Sequence, residues 1–184
     1  MNLVLGFAPF ILFALLMRLS VDLALWASFA VAFTIGIRAF LQTRVLRLLD
    51  GASTAIFGIL ALYKGFLAPG LPPAAVRLIV DASLLAIAIA SLIARQPFTL
   101  QYVRDEGSSE AWEWPAFLRM NYAIAMVWTL AFAIMTLADG AATFDPAMPL
   151  TAAVAAGLLA LLGAIAFTWR YPSRIRAQQN RRRN

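Results

Sequence analysis

Two short segments of the sequence place an arginine four residues before an aspartate, at the start of a long apolar stretch. Arg18 precedes Asp22, and Arg77 precedes Asp81. Residues four apart lie on one face of an α-helix, so each arginine can pair with its aspartate. Charges within an apolar helix are costly and commonly mark a substrate, ion or proton site. Asp81 is the deepest of the four, which makes Arg77 and Asp81 the main candidates for chemistry.

Lys64 and Asn121 complete the candidate intramembrane polar site. Lys64 lies near the end of the third apolar stretch, and Asn121 lies four residues into the fifth. A functional interpretation joins these side chains into a polar cavity, a proton or ion relay, or a site for an anionic substrate. A structural interpretation makes the Arg/Asp pairs local ties, lets Lys64 reach the headgroups and gives Asn121 a hydrogen bond between helices. The structural interpretation is favoured near helix ends, because side chains there can reach water.

The composition excludes most enzyme chemistry. The 184 residues include no cysteine and no histidine, which rules out thiolate nucleophiles, Cys/His zinc sites and His-ligated haem. Glycine loops for phosphates or dinucleotides and a serine nucleophile elbow are also missing. No two carboxylates have a spacing that would bring them together on one helix within the apolar stretches. We therefore expect a non-enzymatic protein with no catalytic residues, no metal and no cofactor.

The chain has the composition of an integral membrane protein. Hydrophobic residues make up 62% and charged residues 13% of it, whereas about a quarter of a soluble domain is charged. A helix needs about 20 residues to cross the hydrocarbon core of a bilayer. Six apolar stretches can be counted, at 3–17, 21–41, 52–67, 74–94, 117–138 and 148–169. The first and third are short, so they either span with help from flanking residues or are re-entrant.

The basic residues predict the orientation of these stretches. Only Arg18, Lys64 and Arg77, three of the 15 lysines and arginines, fall on one side of the six stretches, and the other twelve fall on the opposite side. The positive-inside rule then places both termini and the long loop 95–116 in the cytoplasm. We predict an all-α, multi-pass protein of the bacterial inner membrane, with about six transmembrane helices arranged as three hairpins. Residues 1–172 form one transmembrane domain, followed by a basic cytoplasmic tail at 173–184.

The basic tail is predicted to bind lipid headgroups. Its arginines are Arg174, Arg176, Arg181, Arg182 and Arg183. Such a run beside the last membrane helix contacts anionic lipids. No aromatic platform accompanies the arginines, so nucleic acid is not an expected partner.

The sequence also suggests an internal repeat. Residues 18–22 and 77–81 are identical at four of five positions and lie 59 residues apart. The second, fourth and sixth stretches each carry small residues at every fourth position, which allows helix backbones to approach closely. These residues are Ala24, Ser28, Ala32 and Gly36, then Ala82, Ala86, Ala90 and Ala94, then Ala152, Ala156, Ala160 and Ala164. We expect three hairpins whose even-numbered helices meet at the centre, although an alanine-rich chain also produces such spacings by chance.

A family resemblance rests on short motifs around loop 95–116. These are Arg95-x-Pro97-Phe98, Gln101, Pro115, Leu118 and Asn121, together with the opening Phe7-Ala8-Pro9-Phe10. The sequence resembles the intracellular septation protein A family of small bacterial inner-membrane proteins. This resemblance implies a role in envelope maintenance or septation through other membrane proteins, and it supplies no catalytic residues. The arginine-rich tail and the segment 112–114 have no counterpart in it.

Three functional hypotheses follow, of which an enzyme acting on lipid has the least support because no acid–base constellation is visible. In the first, the protein assists the cell envelope or septation by binding other membrane or division proteins through loop 95–116 and its helix faces. The mixture of aromatic and charged residues in that loop suits either a position at the headgroups or a partner surface. In the alternative, the protein is a small membrane transporter or channel that uses the Arg77/Asp81 region. The sequence leaves the oligomeric state open.

Overall fold

The computed structural model describes residues 2–44, 47–100, 115–145 and 147–183, and the side chains of 6–44, 47–100, 117–145 and 147–171. All regular secondary structure in these residues is helical. The six long helices are α1 (Asn2–Leu16), α2 (Val21–Thr43), α3 (Leu48–Leu62), α4 (Pro73–Ile93), α5 (Pro115–Phe144) and α6 (Leu150–Arg183). Helix α3 continues as a π-helix over Tyr63–Leu67.

Within the described residues, four helices, α2, α4, α5 and α6, are long and apolar enough to cross a membrane. This confirms the prediction of an all-α membrane protein. Helix α1 and the α-helical part of α3 have 15 residues each, in line with the two short apolar stretches in the sequence. The π-helical segment adds five residues to α3.

Local sequence signals account for several helix ends. The hydroxyl of Ser20 accepts a hydrogen bond from the backbone N–H of Leu23 at 3.4 Å, which caps the start of α2. Pro73 lies in the first turn of α4. The backbone N–H that proline lacks has no partner within the helix at this position, so no intrahelical hydrogen bond is lost. The turn at Leu19–Ser20 is short, so α1 and α2 form an antiparallel hairpin.

The helices pack mainly against their neighbours in the chain. Extensive contacts join α1 with α2, α2 with α3, α4 with α5, and α5 with α6, whereas α3 and α4 touch much less. The bundle therefore has two halves, α1–α3 and α4–α6. Residues at the Ser20 turn define one end of the bundle, called the Ser20 end below. Residues around Arg95, where α4 stops, define the opposite Arg95 end.

Aromatic side chains of α1 join the two halves. Phe7, which is buried, stacks on Trp128 of α5 with ring centroids 4.6 Å apart and planes at 7°. Its ring also lies 6.0 Å from Phe132 of α5 and 6.3 Å from Phe98, measured between centroids. Edge-to-face and offset aromatic pairs at such distances add to the packing energy of the contact.

The same face of α1 also contacts the first half of the bundle. The rings of Phe10 and Phe13 lie 5.0 Å and 5.5 Å from the ring of Phe57 on α3, measured between centroids. Residues three apart share a helix face, so Phe7, Phe10 and Phe13 form one continuous aromatic ridge. Through this ridge, α1 contacts both halves of the bundle.

The predicted central contact of even-numbered helices is wrong. In α2 the small residues Ala24, Ser28, Ala32 and Gly36 are buried as expected. In α4, Ala86, Ala90 and Ala94 are exposed instead, and larger residues such as Val76, Val80 and Leu84 are buried against the bundle. The aromatic ridge of α1 fills the centre, and α4 meets α5 through a different face from the one its alanines mark.

Removal of one buried ring at this centre should destabilise the whole bundle. The side chain of Phe57 is 0% exposed, so Phe57→Ala leaves a cavity and should lower the free energy of unfolding by about 3 kcal/mol. Phe66→Ala is the matched control, because Phe66 is 78% exposed and its loss should change that free energy by about 0.5 kcal/mol or less. Unfolding in lipid bicelles measures both. Equal effects of the two substitutions would contradict the central position of the aromatic ridge.

Candidate functional site

An ion pair joins α4 to α5 at the Ser20 end of the bundle. The Nε atom of Arg77 donates to Oδ2 of Asp139 at 3.2 Å, and Nη2 donates to Oδ1 at 3.0 Å. The side chain of Asp139 is 1% exposed and that of Arg77 is 21% exposed. Two parallel hydrogen bonds from a guanidinium to a carboxylate are the strongest geometry available to such a pair.

Asp139 is part of this site because α5 is longer than its apolar stretch. The sequence placed Asp139 just beyond the fifth helix, but α5 continues to Phe144. The backbone of Asp139 is helical, and its carbonyl oxygen accepts a hydrogen bond from the hydroxyl of Thr143 at 2.7 Å. The helix therefore carries this carboxylate into the bundle, to the level of Arg77.

Asp81 brings a second carboxyl group to the same place. It lies one turn after Arg77 on α4 and is buried, as Asp139 is. Arg77, Asp81 and Asp139 together are called the Arg77 cluster below.

The Arg77 cluster corrects one expectation from the sequence. Arg77 was expected to pair with Asp81 within α4, but its hydrogen bonds go to Asp139 on the neighbouring helix. The two acids of the cluster lie on different helices, so spacing within one apolar stretch could not reveal them. The signal available in the sequence was Asp139 itself, an acid at the edge of an apolar stretch.

A second ion pair joins α2 to α3 at the same end. Nζ of Lys64 donates to Oδ1 of Asp22 at 2.8 Å. The Lys64 side chain is 9% exposed and that of Asp22 is 60% exposed. The predicted tie between Arg18 and Asp22 is absent from the described residues, and Arg18 is exposed. Lys64 was expected to reach towards the headgroups, but its ammonium group is enclosed, and a buried charge needs such a partner.

Asn121 lies at the opposite, Arg95 end and is separate from both ion pairs. Its side-chain amide donates to the carbonyl oxygen of Phe117 in its own helix at 3.0 Å. The interhelical hydrogen bond predicted for its side chain is therefore replaced by a bond within α5. The backbone carbonyl oxygen of Asn121 accepts from the hydroxyl of Thr99 at 3.3 Å. Five of the six predicted polar residues thus fall into three separate groups, and the sixth, Arg18, is exposed and belongs to none of them.

The chain leaves α4 through a defined turn. Arg95 has a φ of 55°, in the left-handed region. The backbone N–H of Arg95 donates to the carbonyl oxygen of Leu92 at 3.1 Å, and that of Gln96 donates to Ser91 at 3.0 Å. This pair of hydrogen bonds closes a helix end in the Schellman pattern, in which glycine is the usual left-handed residue.

Residues 97–100 then turn back into the bundle. All four are buried, and the backbone N–H of Phe98 donates to Oγ of Ser91 at 3.4 Å. The sequence left open whether loop 95–116 lies at the headgroups or forms a partner surface, and this first part of the loop lies in the core. Residues 101–114, with Tyr102, Trp112 and Trp114, lie outside the described residues.

Five motif residues of the proposed family resemblance lie at this place, namely Phe7, Arg95, Pro97, Phe98 and Asn121. Phe98 packs against Phe7, and Thr99 binds the backbone of Asn121. Arg95 forms the left-handed turn that directs Pro97 and Phe98 inwards. This set of contacts is called the loop junction below. The junction is a structural base for loop 95–116, and it contains no group of residues arranged for catalysis.

The predicted lipid-binding tail is helical in its backbone, since α6 extends to Arg183. Its arginine side chains, at 174, 176 and 181–183, lie outside the described side chains. In the part of the chain that the structure describes, no group of three or more acidic residues is placed to hold a metal ion.

The helices themselves indicate the class of the chain, an all-α membrane protein. Comparisons with known proteins add no family to this class. No protein-family model matches the sequence, and no curated protein or solved structure is significantly similar to it. The resemblance to the septation protein A family therefore stays a hypothesis based on the motif residues.

The Arg77 cluster makes a quantitative prediction about buried charge. Arg77→Met leaves two buried acids without a cation and should lower the free energy of unfolding by about 3 kcal/mol. The double variant Arg77→Met with Asp139→Leu should recover to within about 1 kcal/mol of wild type, because apolar side chains replace a buried pair at little cost.

The Lys64–Asp22 ion pair provides the control for these substitutions. Lys64→Met should lower the free energy of unfolding by about 1 kcal/mol or less, because its exposed partner Asp22 can be solvated by water. Unfolding of Arg77→Met, Asp139→Leu, their double variant and Lys64→Met in bicelles measures these differences. If the double variant loses as much as the two single variants together, the Arg77–Asp139 pair is not an interacting unit.

Proposed function

We propose that this chain is a non-enzymatic protein of the bacterial inner membrane that assists cell-envelope maintenance or septation by binding other membrane or division proteins. All six helices cross the membrane in this proposal. The Ser20 end faces outwards, and both termini and loop 95–116 are cytoplasmic. The positive-inside distribution of the 15 basic residues supports this orientation.

The packing of α3 supports six spans rather than four. Asp22 and Lys64 meet at the start of α2 and the end of α3. Further along the two helices, Gly36 of α2 packs against Thr54 of α3. A Cβ atom at Gly36 would lie only 3.7 Å from Oγ1 of Thr54. Helix α3 therefore runs antiparallel to α2 over most of its length. At 1.5 Å per residue, its α- and π-helical parts together cover roughly 30 Å, about the thickness of a hydrocarbon core.

The observation that carries the proposal is the loop junction. Residues on both sides of loop 95–116 are held in the core, since Phe98 packs on Phe7 and Thr99 binds the start of α5. Anchors at both ends reduce the conformational entropy that the loop loses on binding, which favours affinity. The loop sequence includes Trp112 and Trp114, a residue type that is enriched in protein interfaces. The same motif residues carry the resemblance to a family that acts through other membrane proteins.

The alternative function is transport or conduction through the Arg77/Asp81 region. The observation that favours it is the presence of two buried carboxyl groups, Asp81 and Asp139, on two helices long enough to span a membrane. Proton relays in membrane transporters use buried carboxyl groups in this way. The Arg77 cluster also joins α4 to α5, so the same contacts serve a structural role.

Complementation of a deletion strain separates the two functions. One variant replaces residues 101–114 by a glycine/serine segment of equal length, which leaves the loop junction intact. The other is Asp81→Asn, which keeps the size of the side chain and removes its acid. We expect Asp81→Asn to restore growth, envelope integrity and division morphology, and the loop replacement to fail at normal protein levels.

Membrane levels of both variants and co-purification of division or wall-synthesis proteins provide the controls. Loss of these partners with the loop replacement supports the interaction function. The opposite result, rescue by the loop replacement and failure of Asp81→Asn at normal levels, would reject it in favour of transport.

A further inference from the structure

The first and last hairpins of the bundle differ in the height of their apolar surface. Helix α1 has 15 residues, which cover roughly 22 Å at 1.5 Å per residue. In α2 the charged residues Asp22 and Arg38 are both exposed and lie 16 positions apart, which corresponds to roughly 24 Å. The apolar surface of the α1–α2 hairpin is therefore shorter than a hydrocarbon core of about 30 Å.

The α5–α6 hairpin has a taller apolar surface. Its exposed charges are Arg119 near the start of α5 and Asp145 just after the end of that helix, 26 positions apart, or roughly 39 Å. In α6 the 20 residues from Leu150 to Trp169 contain no charge and cover roughly 30 Å. This hairpin thus matches an ordinary bilayer, and the α1–α2 hairpin does not.

The short surface of α2 faces away from the other helices. Trp26, Phe33 and Ile37 on this surface are 44%, 47% and 42% exposed, and Arg38 is exposed next to Ile37. Among the described residues, Arg38 has no ion-pair partner. Its guanidinium group therefore has to be solvated by the surroundings of the helix rather than by the protein.

The direction of α2 makes the charge of Arg38 difficult to place. Side chains lean towards the N-terminus of their helix, and the N-terminus of α2 lies at the Ser20 end. Asp22 leans towards the nearest headgroups, whereas Arg38 starts towards the middle of the bilayer and away from the headgroups at the Arg95 end. A bilayer accommodates an arginine in such a position by local thinning, which brings headgroups and water to the guanidinium.

We propose that the α1–α2 hairpin binds a locally thinned bilayer, in which phospholipid phosphates of the leaflet at the Arg95 end descend to Arg38. The α5–α6 hairpin contacts lipid of ordinary thickness, so the protein stands at a step in the bilayer. This inference rests on the proposed topology, in which α1 and α2 both cross the membrane. It is independent of the partners proposed for loop 95–116.

Spin labels at matched positions measure the local depth. Ile37→Cys and Ala166→Cys place a label at the seventeenth residue of α2 and of α6, and both positions are exposed. The full chain is reconstituted in vesicles of dioleoyl phosphatidylcholine and phosphatidylglycerol, and collisions with oxygen and with a polar nickel complex give the depth of each label. The label at position 37 should lie about 5 Å nearer to water, because the next charge follows three residues sooner in α2 than in α6.

Removal of the arginine tests the cause of this difference. Arg38→Leu, combined with the label at position 37, should move that label to the depth of the label at position 166. Arg44→Leu is the matched control, since Arg44 is also exposed but lies just after α2, and it should leave the depth unchanged.

Two results would overturn the inference. One is an equal depth of the two labels, or a depth at position 37 that does not respond to Arg38→Leu. The other is magnetic coupling between labels at position 37, which would show that a second copy of the chain covers this face instead of thinned lipid. Thiol labelling of Leu19→Cys tests the topology separately, so an error in the topology can be distinguished from an absence of thinning.

Discussion

Aromatic packing around α1 is the interaction on which the rest of the bundle depends. Lipid tails are as apolar as the helices, so burial of apolar surface does little to drive helices together within a membrane. Close packing has to do this instead, and large rings provide many contacts for each residue. The ridge of Phe7, Phe10 and Phe13 contacts Phe57 in one half and Trp128 in the other. Without it, the two halves would meet mainly through the sparse contacts of α3 with α4.

The two interhelical ion pairs lie between helices that are packed side by side. Both ion pairs lie at the Ser20 end, and each joins an even-numbered helix to the odd-numbered helix that follows it. A buried charge without a partner costs several kcal/mol, so the pairs fix which helices are neighbours. At the Arg95 end, the described contacts between segments are hydrogen bonds of neutral groups, from Phe98 to Ser91 and from Thr99 to Asn121. That end also holds the ion pair Arg47–Asp50 at 3.8 Å, which lies within the start of α3 and does not join two helices.

Helix positions could be predicted from the sequence, whereas helix partners could not. Each long helix begins within a few residues of its apolar stretch, because apolar runs and capping residues such as Ser20 and Pro73 are local signals. The partner of Asp22 is 42 residues away and that of Arg77 is 62 residues away. Spacing of four residues therefore predicted the wrong ion pairs. The alanines of α4 misled in the same way, since small residues permit a close contact without specifying one.

The proposed topology has six membrane crossings with the Ser20 end outside. Because the chain contains no cysteine, single cysteine substitutions test this topology directly. Leu19→Cys and Gly70→Cys place a thiol at two exposed turns of the Ser20 end, and Ala94→Cys places one at the Arg95 end. A membrane-impermeant maleimide added to spheroplasts should label the first two, and should label Ala94→Cys only after the membrane is permeabilised. Labelling of Leu19→Cys and Gly70→Cys from opposite sides would show that α3 does not cross, and would contradict the account.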